Sequence, residues 1–438
     1  MPTAQEIDNA ISVLSSVRPP YVKSYENFKP GEDFVQYSGQ WWDKDEISIA
    51  LQAFIKGDWI TSGEYVQQFQ DEFSEKFNVD HSHMVNSGSS ANLVMVAALK
   101  KYYGWNDGDE IIVSPVGFPT TIAPIVQNNL KPVFIDIELE TLNFDVTKIA
   151  EKITDKTKAI FVSPVLGNPP DMDYIEGLCG SYKLKLIGDN CDSLGTKVNG
   201  RLITEYYDAW SCSFYPAHHI STGEGGMVCS NHEELIKTAR SISWWGRDCY
   251  CVGVNNKLAC GTCGKRFDYW LDDFFGEIDH KYFFTHMGYN LKPLDLQGAI
   301  GIAQLRKVNE VDRLRRKHKK SIDGFLKKIP GIKTIGTLPK SDPSWFGVPV
   351  WCESEDTKPF LVNYLEKNKI QTRNYFSGNI LLHPGYKHLG NHEDYPNSNL
   401  ALSNVFFIGC SPLYTQPVID YIGKVLSDFD IDKLRVVL

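Results

Sequence analysis

The 438-residue sequence has no run of roughly 20 apolar residues, which a membrane-spanning helix would require. Its first residues, MPTAQEIDNAISVLSSVRPP, are acidic and polar where a secretory signal would have a basic start and an apolar segment. A basic excess is also missing, because the net charge is −9, whereas a surface that follows nucleic-acid phosphates needs positive charge. We therefore expect a cytoplasmic protein that binds neither membranes nor nucleic acid.

Cysteine is too sparse for a disulfide scaffold, with ten residues in the chain, but its distribution is uneven. Four cysteines fall in one short window, at positions 249, 251, 260 and 263, and Cys191 lies upstream. Thiolates at such spacing can ligate zinc or an iron–sulfur cluster, and the spacing leaves both open. The other five are more typical of buried, inert thiols: Cys179, Cys212, Cys229, Cys352 and Cys410.

The order of apolar segments predicts an α/β protein with three parts. Residues 1–60 form an N-terminal arm, residues 61–330 a large α/β domain, and residues 331–438 a small α+β domain. In the large part, helical segments alternate with short Val- and Ile-rich runs, which favours a mostly parallel sheet buried on both faces. The runs are EIIVSP, KPVFIDI, KAIFVSPV, KLKLIGDN, DAWSCSFYP and GGMVCSN.

Small and polar residues follow several of these strands. The stretch NSGSSANL is either an ordinary helix start or a phosphate cradle, because small residues let backbone N–H groups approach an anion. Asp189 ends a strand, where a carboxylate can reach a ligand at the sheet edge. Phe118 is either a core aromatic or a ring that stacks on a ligand, and Asn290 precedes a long helical segment.

The motifs SGSSANL, GFPTT, SFYPAHH followed by GEGG, and GYNLKPLDLQGAIGIAQL together resemble the DegT/DnrJ/EryC1/StrS sugar aminotransferases over nearly the whole chain. These are fold-type I pyridoxal-phosphate (PLP) enzymes with an aspartate-aminotransferase-like fold. Most of them carry a cofactor-binding lysine where this chain has His218. A histidine there resembles the 3-dehydratase branch, which acts on nucleotide-linked 4-keto-6-deoxy sugars.

The resemblance implies a role for each site residue. Gly88, Ser89 and Ser213 would hold the cofactor phosphate, Asp189 would pair with the ring nitrogen, Phe118 would stack on the ring, and Asn290 would reach the phosphate site of the other subunit in a homodimer. A histidine cannot bind the cofactor as the lysine does, but it can act as a general base. We therefore expect His218 to be the base, with pyridoxamine phosphate (PMP) as the working cofactor, and His219 to be structural.

The cysteines narrow the resemblance to the subgroup of 3-dehydrases that acts on CDP-4-keto-6-deoxy-glucose in dideoxysugar and O-antigen (lipopolysaccharide) biosynthesis. That subgroup carries a 2Fe-2S cluster fed by a flavin or iron–sulfur NAD(P)H reductase. Fifty-seven residues separate Cys191 from Cys249, and Cys251 follows, as in the subgroup. The fourth ligand departs from the pattern; Cys263 is favoured because Gly-Lys-Arg-Phe follows it, and Cys260 is the competitor.

Three other functions are compatible with these residues. The first is a dehydratase without a cluster, which acts on a GDP-linked sugar and regenerates its amine from glutamate. The second is a zinc-stabilised protein that binds a sugar nucleotide without turnover. The third is a degenerate aminotransferase that has lost its lysine, although the chain keeps the other cofactor contacts.

Overall fold

The structure is a computed structural model that describes residues 2–251, 261 and 263–430. The helices in these residues are α1 Ala4–Ser15, α2 Lys44–Lys56, α3 Glu64–Lys76, α4 Gly88–Tyr103, α5 Pro119–Gln127, α6 Met172–Tyr182, α7 Glu233–Ser243, α8 Asp295–Leu305, α9 Val308–Leu326, α10 Thr357–Lys367, α11 Pro396–Asn404 and α12 Gln416–Ser427. Among the described residues, no helix is both long and apolar enough to cross a membrane.

The strands are short and follow one another along the whole chain. In order they are β1 His81–Val85, β2 Glu110–Val113, β3 Lys131–Phe134, β4 Thr157–Val162, β5 Lys185–Asp189, β6 Lys197–Val198, β7 Arg201–Leu202, β8 Ala209–Ser213, β9 Gly226–Ser230, β10 Phe267–Asp268, β11 Ile278–Asp279, β12 Ile332–Thr334, β13 Ser341–Asp342, β14 Gly347–Cys352, β15 Thr372–Asn374 and β16 Val405–Gly409.

Seven strands form the central sheet, in the order β1-β9-β8-β5-β4-β2-β3. From β3 to β8 neighbouring strands are parallel, and β9 runs antiparallel to both β8 and β1. Every residue of β2, β8 and β9 is buried, as expected for strands covered on both faces. The predicted mostly parallel α/β sheet is confirmed, and each of the six apolar runs provides one of its strands.

The long helical segment that follows Asn290 consists of two helices, α8 and α9, separated at residues 306 and 307. Helix α8 packs closely against α3, because a Cβ on Gly298 would lie only 2.5 Å from the backbone nitrogen of Val66. The carboxylate of Asp295 accepts the backbone N–H groups of Gly63 and Val66, at 2.8 and 2.9 Å. These contacts join the start of α8 to the start of α3.

A second, antiparallel sheet follows α9, in the order β12-β14-β16-β15. Helices α9 and α12 contribute to its core, through Ile322, Leu326, Val418 and Ile422. The proposed limits at residues 60 and 330 fall between α2 and α3 and between α9 and β12.

The first 60 residues contain α1 and α2 and bridge the two sheets. Val35 forms a parallel bridge with Ile370 beside the small sheet. Ser38 and Trp42 donate to the backbone carbonyls of Ala217 and Ser221, which follow β8 of the large sheet. This arm therefore lies against the loop that contains His218.

Candidate functional site

A cleft with a volume of about 670 Å³ opens at the carboxyl ends of the parallel strands. Asp189 ends β5, Ser213 ends β8, and Phe118 begins α5 shortly after β2. All three line the cleft, where ligands of open α/β sheets commonly bind. The small sheet and the N-terminal arm provide the opposite wall, including Arg373 and Tyr37.

The predicted phosphate cradle is formed by the start of α4 and the end of β8. Ser87 caps the helix, and its hydroxyl accepts the N–H of Ser90 at 3.1 Å. A Cβ on Gly88 would lie 2.4 Å from the Cβ of Ser213, so only glycine permits this approach. The first N–H groups of a helix have no intrahelical partner, and the helix dipole favours an anion there. Gly88, Ser89 and Ser213 all line this end of the cleft.

Asp189 is a buried carboxylate held by two side chains from neighbouring elements. Its Oδ2 atom accepts a hydrogen bond from Asn92 Nδ2 at 2.9 Å and one from Thr121 Oγ1 at 2.6 Å. Its Oδ1 atom is 3.3 Å from the backbone nitrogen of Cys191. These hydrogen bonds hold the Asp189 carboxylate in one orientation. Asn92 and Thr121 were not predicted as site residues, although they lie inside the NSGSSANL and GFPTT motifs.

Phe118 is the predicted stacking residue, and its side chain is available for contact. It is 53% exposed, although it begins a helix within the body of the protein. Its ring meets the ring of Phe376 edge-on, with 6.3 Å between the centroids. Phe118 therefore faces the cleft rather than the core, which fits a ring that packs on a ligand better than a core aromatic.

His218 lies in the loop after β8 and lines the cleft. Its Nδ1 atom is 3.6 Å from Asp192 Oδ1, which is too long for a hydrogen bond, and its ring is 5.1 Å from the ring of Phe346. Burial and then the charge of Arg315 lower the pKa of His218 to about 3. The ring is therefore uncharged at neutral pH, so one of its nitrogens has an unprotonated lone pair.

Two neighbours complete the surroundings of this histidine. Burial and the nearby charge of Asp189 raise the pKa of Asp192 to about 7. Because His218 is uncharged at neutral pH, the contact with Asp192 at 3.6 Å is not an ion pair there. His219 is 2% exposed, and the described residues that line the cleft do not include it.

Arg373 brings a positive charge to the cleft from β15 in the small sheet. Its guanidinium carbon lies 4.5 Å from the centre of the Tyr37 ring, in a cation–π contact, and both side chains line the cleft. Asn374 is next to it. The sequence analysis missed these residues because no local motif marks them; only the packing of three chain segments brings them to the site.

Asn290 lies on the surface, and the described residues that line the cleft do not include it. Its backbone bridges Trp244, and its side-chain oxygen accepts a hydrogen bond from Lys292. Lys292 also lies 3.3 Å from the centre of the Trp245 ring. The predicted role of Asn290 in the other subunit of a dimer stays a prediction.

The described residues do not bring the predicted cluster ligands together. Cys249 and Cys251 are buried neighbours whose thiols hydrogen bond to each other. Cys191 lies in the cleft beside Asp189, and the exposed Cys263 has its sulfur 3.3 Å from Nδ1 of His280. Within the described ranges, no group of three or more His, Cys, Asp or Glu side chains could hold a metal ion. Cys260 lies outside the described residues.

The cleft has the features that a pyridoxal-type cofactor needs. The tight approach of Gly88 to Ser213 leaves room for a phosphate at the start of α4. Asp189 is a buried carboxylate of the kind that would keep a pyridinium nitrogen protonated, and Phe118 has an exposed ring on which a cofactor could stack. The residues present therefore fit this cofactor.

Comparison with known proteins agrees with this geometry. Residues 42–427 match the model of the DegT/DnrJ/EryC1/StrS aminotransferase family. The chain belongs to this family, and its fold is that of the fold-type I PLP-dependent enzymes.

Three similar proteins are informative. The chain is 39% identical to dTDP-4-dehydro-2,6-dideoxy-D-glucose 3-dehydratase of Saccharopolyspora spinosa, over 95% of this chain and 91% of that protein. It is 36% identical to lipopolysaccharide biosynthesis protein RfbH of Salmonella typhimurium, over 98% of this chain and 99% of that protein. A solved structure of the Escherichia coli GDP-4-keto-6-deoxy-D-mannose-3-dehydratase with hydrated PLP superposes with a TM-score of 0.78, at 30% identity, covering 90% of this chain and 99% of that one.

Proposed function

We propose that the protein is a PMP-dependent 3-dehydratase that removes the C3 hydroxyl of a nucleotide-linked 4-keto-6-deoxy hexose. The observation that carries this proposal is His218, an uncharged histidine at the position where sugar aminotransferases have lysine, in a cleft that keeps the other cofactor contacts. A degenerate site would have no reason to retain the Asp189 network or the close approach of Gly88 to Ser213.

Each described residue has a defined task in this proposal. Gly88, Ser89 and Ser213 hold the phosphate, Phe118 packs on the ring, and Asp189 pairs with the ring nitrogen. When bound, the cofactor supplies an amine that reacts with the sugar ketone and a ring that accepts electrons. His218 accepts the proton that must leave before the C3 hydroxyl departs, and the ionised form of Asp192, 3.6 Å away, stabilises the ring once it is protonated.

The substrate is proposed as a class, a sugar joined to a nucleoside diphosphate. Two of the similar 3-dehydratases act, by their names, on dTDP- and GDP-linked sugars. CDP and the glucose configuration therefore stay predictions. Arg373 is the cation of the cleft best suited to the diphosphate, because a guanidinium forms paired hydrogen bonds with phosphate oxygens. The similarity to RfbH is consistent with a role in lipopolysaccharide sugar synthesis.

The test is to incubate purified protein and PMP with CDP-, dTDP- and GDP-linked 4-keto-6-deoxy hexoses and to analyse the sugars by mass spectrometry. We expect loss of the C3 oxygen from at least one substrate, with glutamate as the amine donor in one set of reactions and a one-electron reductant in another. Exchange of the 4-keto group for an amine, with the C3 oxygen retained, would identify an aminotransferase instead. Binding without any turnover would support the non-catalytic alternative.

The active site is proposed to be shared across a homodimer, because Asn290 is exposed and lies outside the cleft of its own protomer. Mixing an Asn290→Ala protein with a His218→Asn protein should restore part of the activity through hybrid dimers, since one of the two sites would have both residues. The absence of recovery, after subunit exchange has been demonstrated, would contradict a shared site.

An iron–sulfur centre is the second candidate property, and one observation favours it. The Cys249 and Cys251 thiol pair lies close to Arg240, Arg247 and Arg266, whose charges would stabilise ligating thiolates. Gly261 packs against the pair, because a Cβ there would lie 2.9 Å from the sulfur of Cys251.

This second candidate makes a separate prediction about electron supply. An enzyme with a 2Fe-2S centre would depend on a reductase and would be brown after anaerobic purification, whereas the cluster-free dehydratase would work with glutamate alone. A colourless zinc-containing protein would support the binding-protein alternative. Iron, sulfide and zinc analysis of the same sample distinguishes the three.

A further inference from the structure

Arg315 is a buried cation in the middle of α9. It has no exposed surface, and among the described residues no carboxylate lies within ion-pair distance of it. Burying an unpaired charge is costly unless hydrogen bonds compensate for the lost water. Four of the hydrogen bonds that Arg315 makes are to backbone carbonyl groups. The thiol of Cys410 is a further partner, and the charge of Asp192 also favours the guanidinium.

The two ends of its guanidinium bind different parts of the chain. Nη1 donates to the carbonyl oxygens of Phe346, at 2.8 Å, and Trp345, at 3.4 Å. Nη2 donates to the carbonyl oxygens of Ala217, at 2.7 Å, and His218, at 3.3 Å. It is also 3.5 Å from the hydroxyl of Ser38. One planar group therefore joins the N-terminal arm, the loop after β8 and the segment before β14.

The side chain of His218 has one hydrogen bond of its own, to the backbone of Cys191. Its Nδ1 atom makes no hydrogen bond among the described residues, and Asp192 is 3.6 Å away. Its ring contacts the ring of Phe346, with 5.1 Å between the centroids. The backbones of both residues are bound by the same guanidinium. The position of the imidazole in the cleft therefore depends on how Arg315 places these two segments relative to each other.

We propose that Arg315 is the positioning residue of this active site. It fixes the position of the His218 imidazole by hydrogen bonding to the backbone of the His218 loop and to the backbone of Phe346 at the same time. The proposal rests on the proposed function, in which His218 moves the proton. Arg315 touches neither the cleft nor a ligand, so it acts through His218 and Phe346. A misplacement of a catalytic group by about 1 Å can cost about a hundredfold in rate.

The proposal predicts different activities for the variants with lysine and with methionine at position 315. The guanidinium is a flat fork with five donors, whereas a lysine ammonium donates from a single point. Arg315→Lys can bind one of the two backbone segments but cannot span both, and Arg315→Met can bind neither. We expect activity to fall in the order wild type, Lys variant, Met variant. A purely structural need for a cation would instead leave the activity of the Lys variant equal to that of the wild type.

The experiment compares Arg315→Lys and Arg315→Met with Arg313→Met, a control on the same helix whose side chain is exposed and paired with Glu310. Three quantities are measured on each protein: the affinity for PMP from its absorbance, kcat and KM with the best sugar nucleotide, and proton exchange into bound PMP in deuterated water. We expect Arg315→Met to lower kcat and the exchange rate by about a hundredfold, with the PMP affinity and KM within about threefold of wild type. Arg315→Lys should be intermediate and the control unchanged.

Several results would overturn the proposal. They are an unchanged exchange rate in Arg315→Met, an equal loss in the Lys and Met variants, or a loss confined to PMP affinity. If Arg315→Met does not fold, the Lys variant decides by the same criteria, and if neither folds the positioning role is rejected in favour of a structural one. Failure of the proposed function is distinguishable, because in that case wild-type protein shows no exchange or dehydration in the first place.

Discussion

Gly88 and Ser213 approach each other so closely that a Cβ on the glycine would lie 2.4 Å from the Cβ of the serine. This contact joins the start of α4 to the end of β8 and shapes the phosphate end of the cleft. Gly88→Ala should therefore weaken PMP binding at least tenfold and lower the free energy of unfolding by about 1–3 kcal/mol, because the two elements must move apart. PMP titration and urea denaturation measure the two effects.

Gly177→Ala is the matched control for that prediction. Gly177 lies inside helix α6, and a Cβ there would meet no atom within 4 Å. Alanine in a helix interior is favoured over glycine by roughly 0.5–1 kcal/mol, so this variant should be as stable as wild type or more stable. If both variants bind PMP equally well, the cradle is not where the phosphate binds.

Thr121 provides a second prediction through its 2.6 Å hydrogen bond to Asp189. Thr121→Val keeps the shape of the side chain and removes the hydroxyl. A hydrogen bond to a charged group is worth about 1.5–3 kcal/mol, so we expect the catalytic rate to fall about tenfold or more while the protein still binds PMP. Thr238→Val, on the outer part of α7, is the control. Equal rates in the two variants would show that Asp189 does not need this donor.

The part of the site that sequence reasoning found is the part that local chemistry specifies. The NSGSSANL motif, the strand that ends in Asp189 and the loop with His218 each have their signal within a few neighbouring residues. Thr121 lies in the GFPTT motif, but its hydrogen bond to Asp189 depends on where α5 packs. Arg373 reaches the site only because β15 packs beside it, which no local pattern reveals. Arg315 was missed for the same reason, since it lies within a charged helix whose exposed arginines look alike in sequence.

The fold shows the same division. The six Val- and Ile-rich runs predicted six of the seven strands of the large sheet, because each must be apolar to be buried on both faces. The order of the strands depends on long-range pairing, and it is implied by the family resemblance, not by the pattern. The reversed direction of β9 also depends on long-range pairing, and neither the pattern nor the resemblance predicted it. The apolar spacing continues across residues 306 and 307, so the pattern does not mark the break between α8 and α9.

His83 gives the protein a predictable response to acid. Burial, and then the charge of Arg240, lower the pKa of His83 to about 3 from its ordinary value of 6.5. The unfolded chain therefore binds a proton that the folded protein does not, so stability is lost as the pH falls from about 6.5 toward about 3. His83→Gln removes this proton uptake. Its stability deficit relative to wild type should shrink by about 2 kcal/mol between pH 7 and pH 5.

Urea denaturation at several pH values measures this difference, and His388→Gln, at an exposed histidine, is the control. The control should show the same deficit at both pH values. A deficit of His83→Gln that is independent of pH would show that His83 takes up its proton in the folded protein as readily as in the unfolded one.

The iron–sulfur prediction is tested by five single variants, at Cys191, Cys249, Cys251, Cys260 and Cys263. If the centre exists, replacing a ligand with serine should strip or destabilise the iron while PMP binding remains. Cys191 lines the cleft and its thiol hydrogen bonds to Asp189, but a serine there keeps a hydroxyl for that bond. Cys352→Ser, in the core of the small sheet, is the control. Loss of iron in only one of Cys260→Ser and Cys263→Ser identifies the fourth ligand. The prediction would be wrong if the wild-type protein contained no iron, or if all five variants kept the wild-type spectrum.

The most direct test of the account is hydrogen exchange at the carbon that carries the amine of bound PMP, followed by nuclear magnetic resonance in deuterated water with substrate present. Wild-type protein should exchange this hydrogen. His218→Asn should bind PMP and keep its fold but exchange on the order of 10²–10⁴ times more slowly, the range expected when a general base is removed. Exchange at a near-normal rate in His218→Asn would contradict the assignment of His218 as the base.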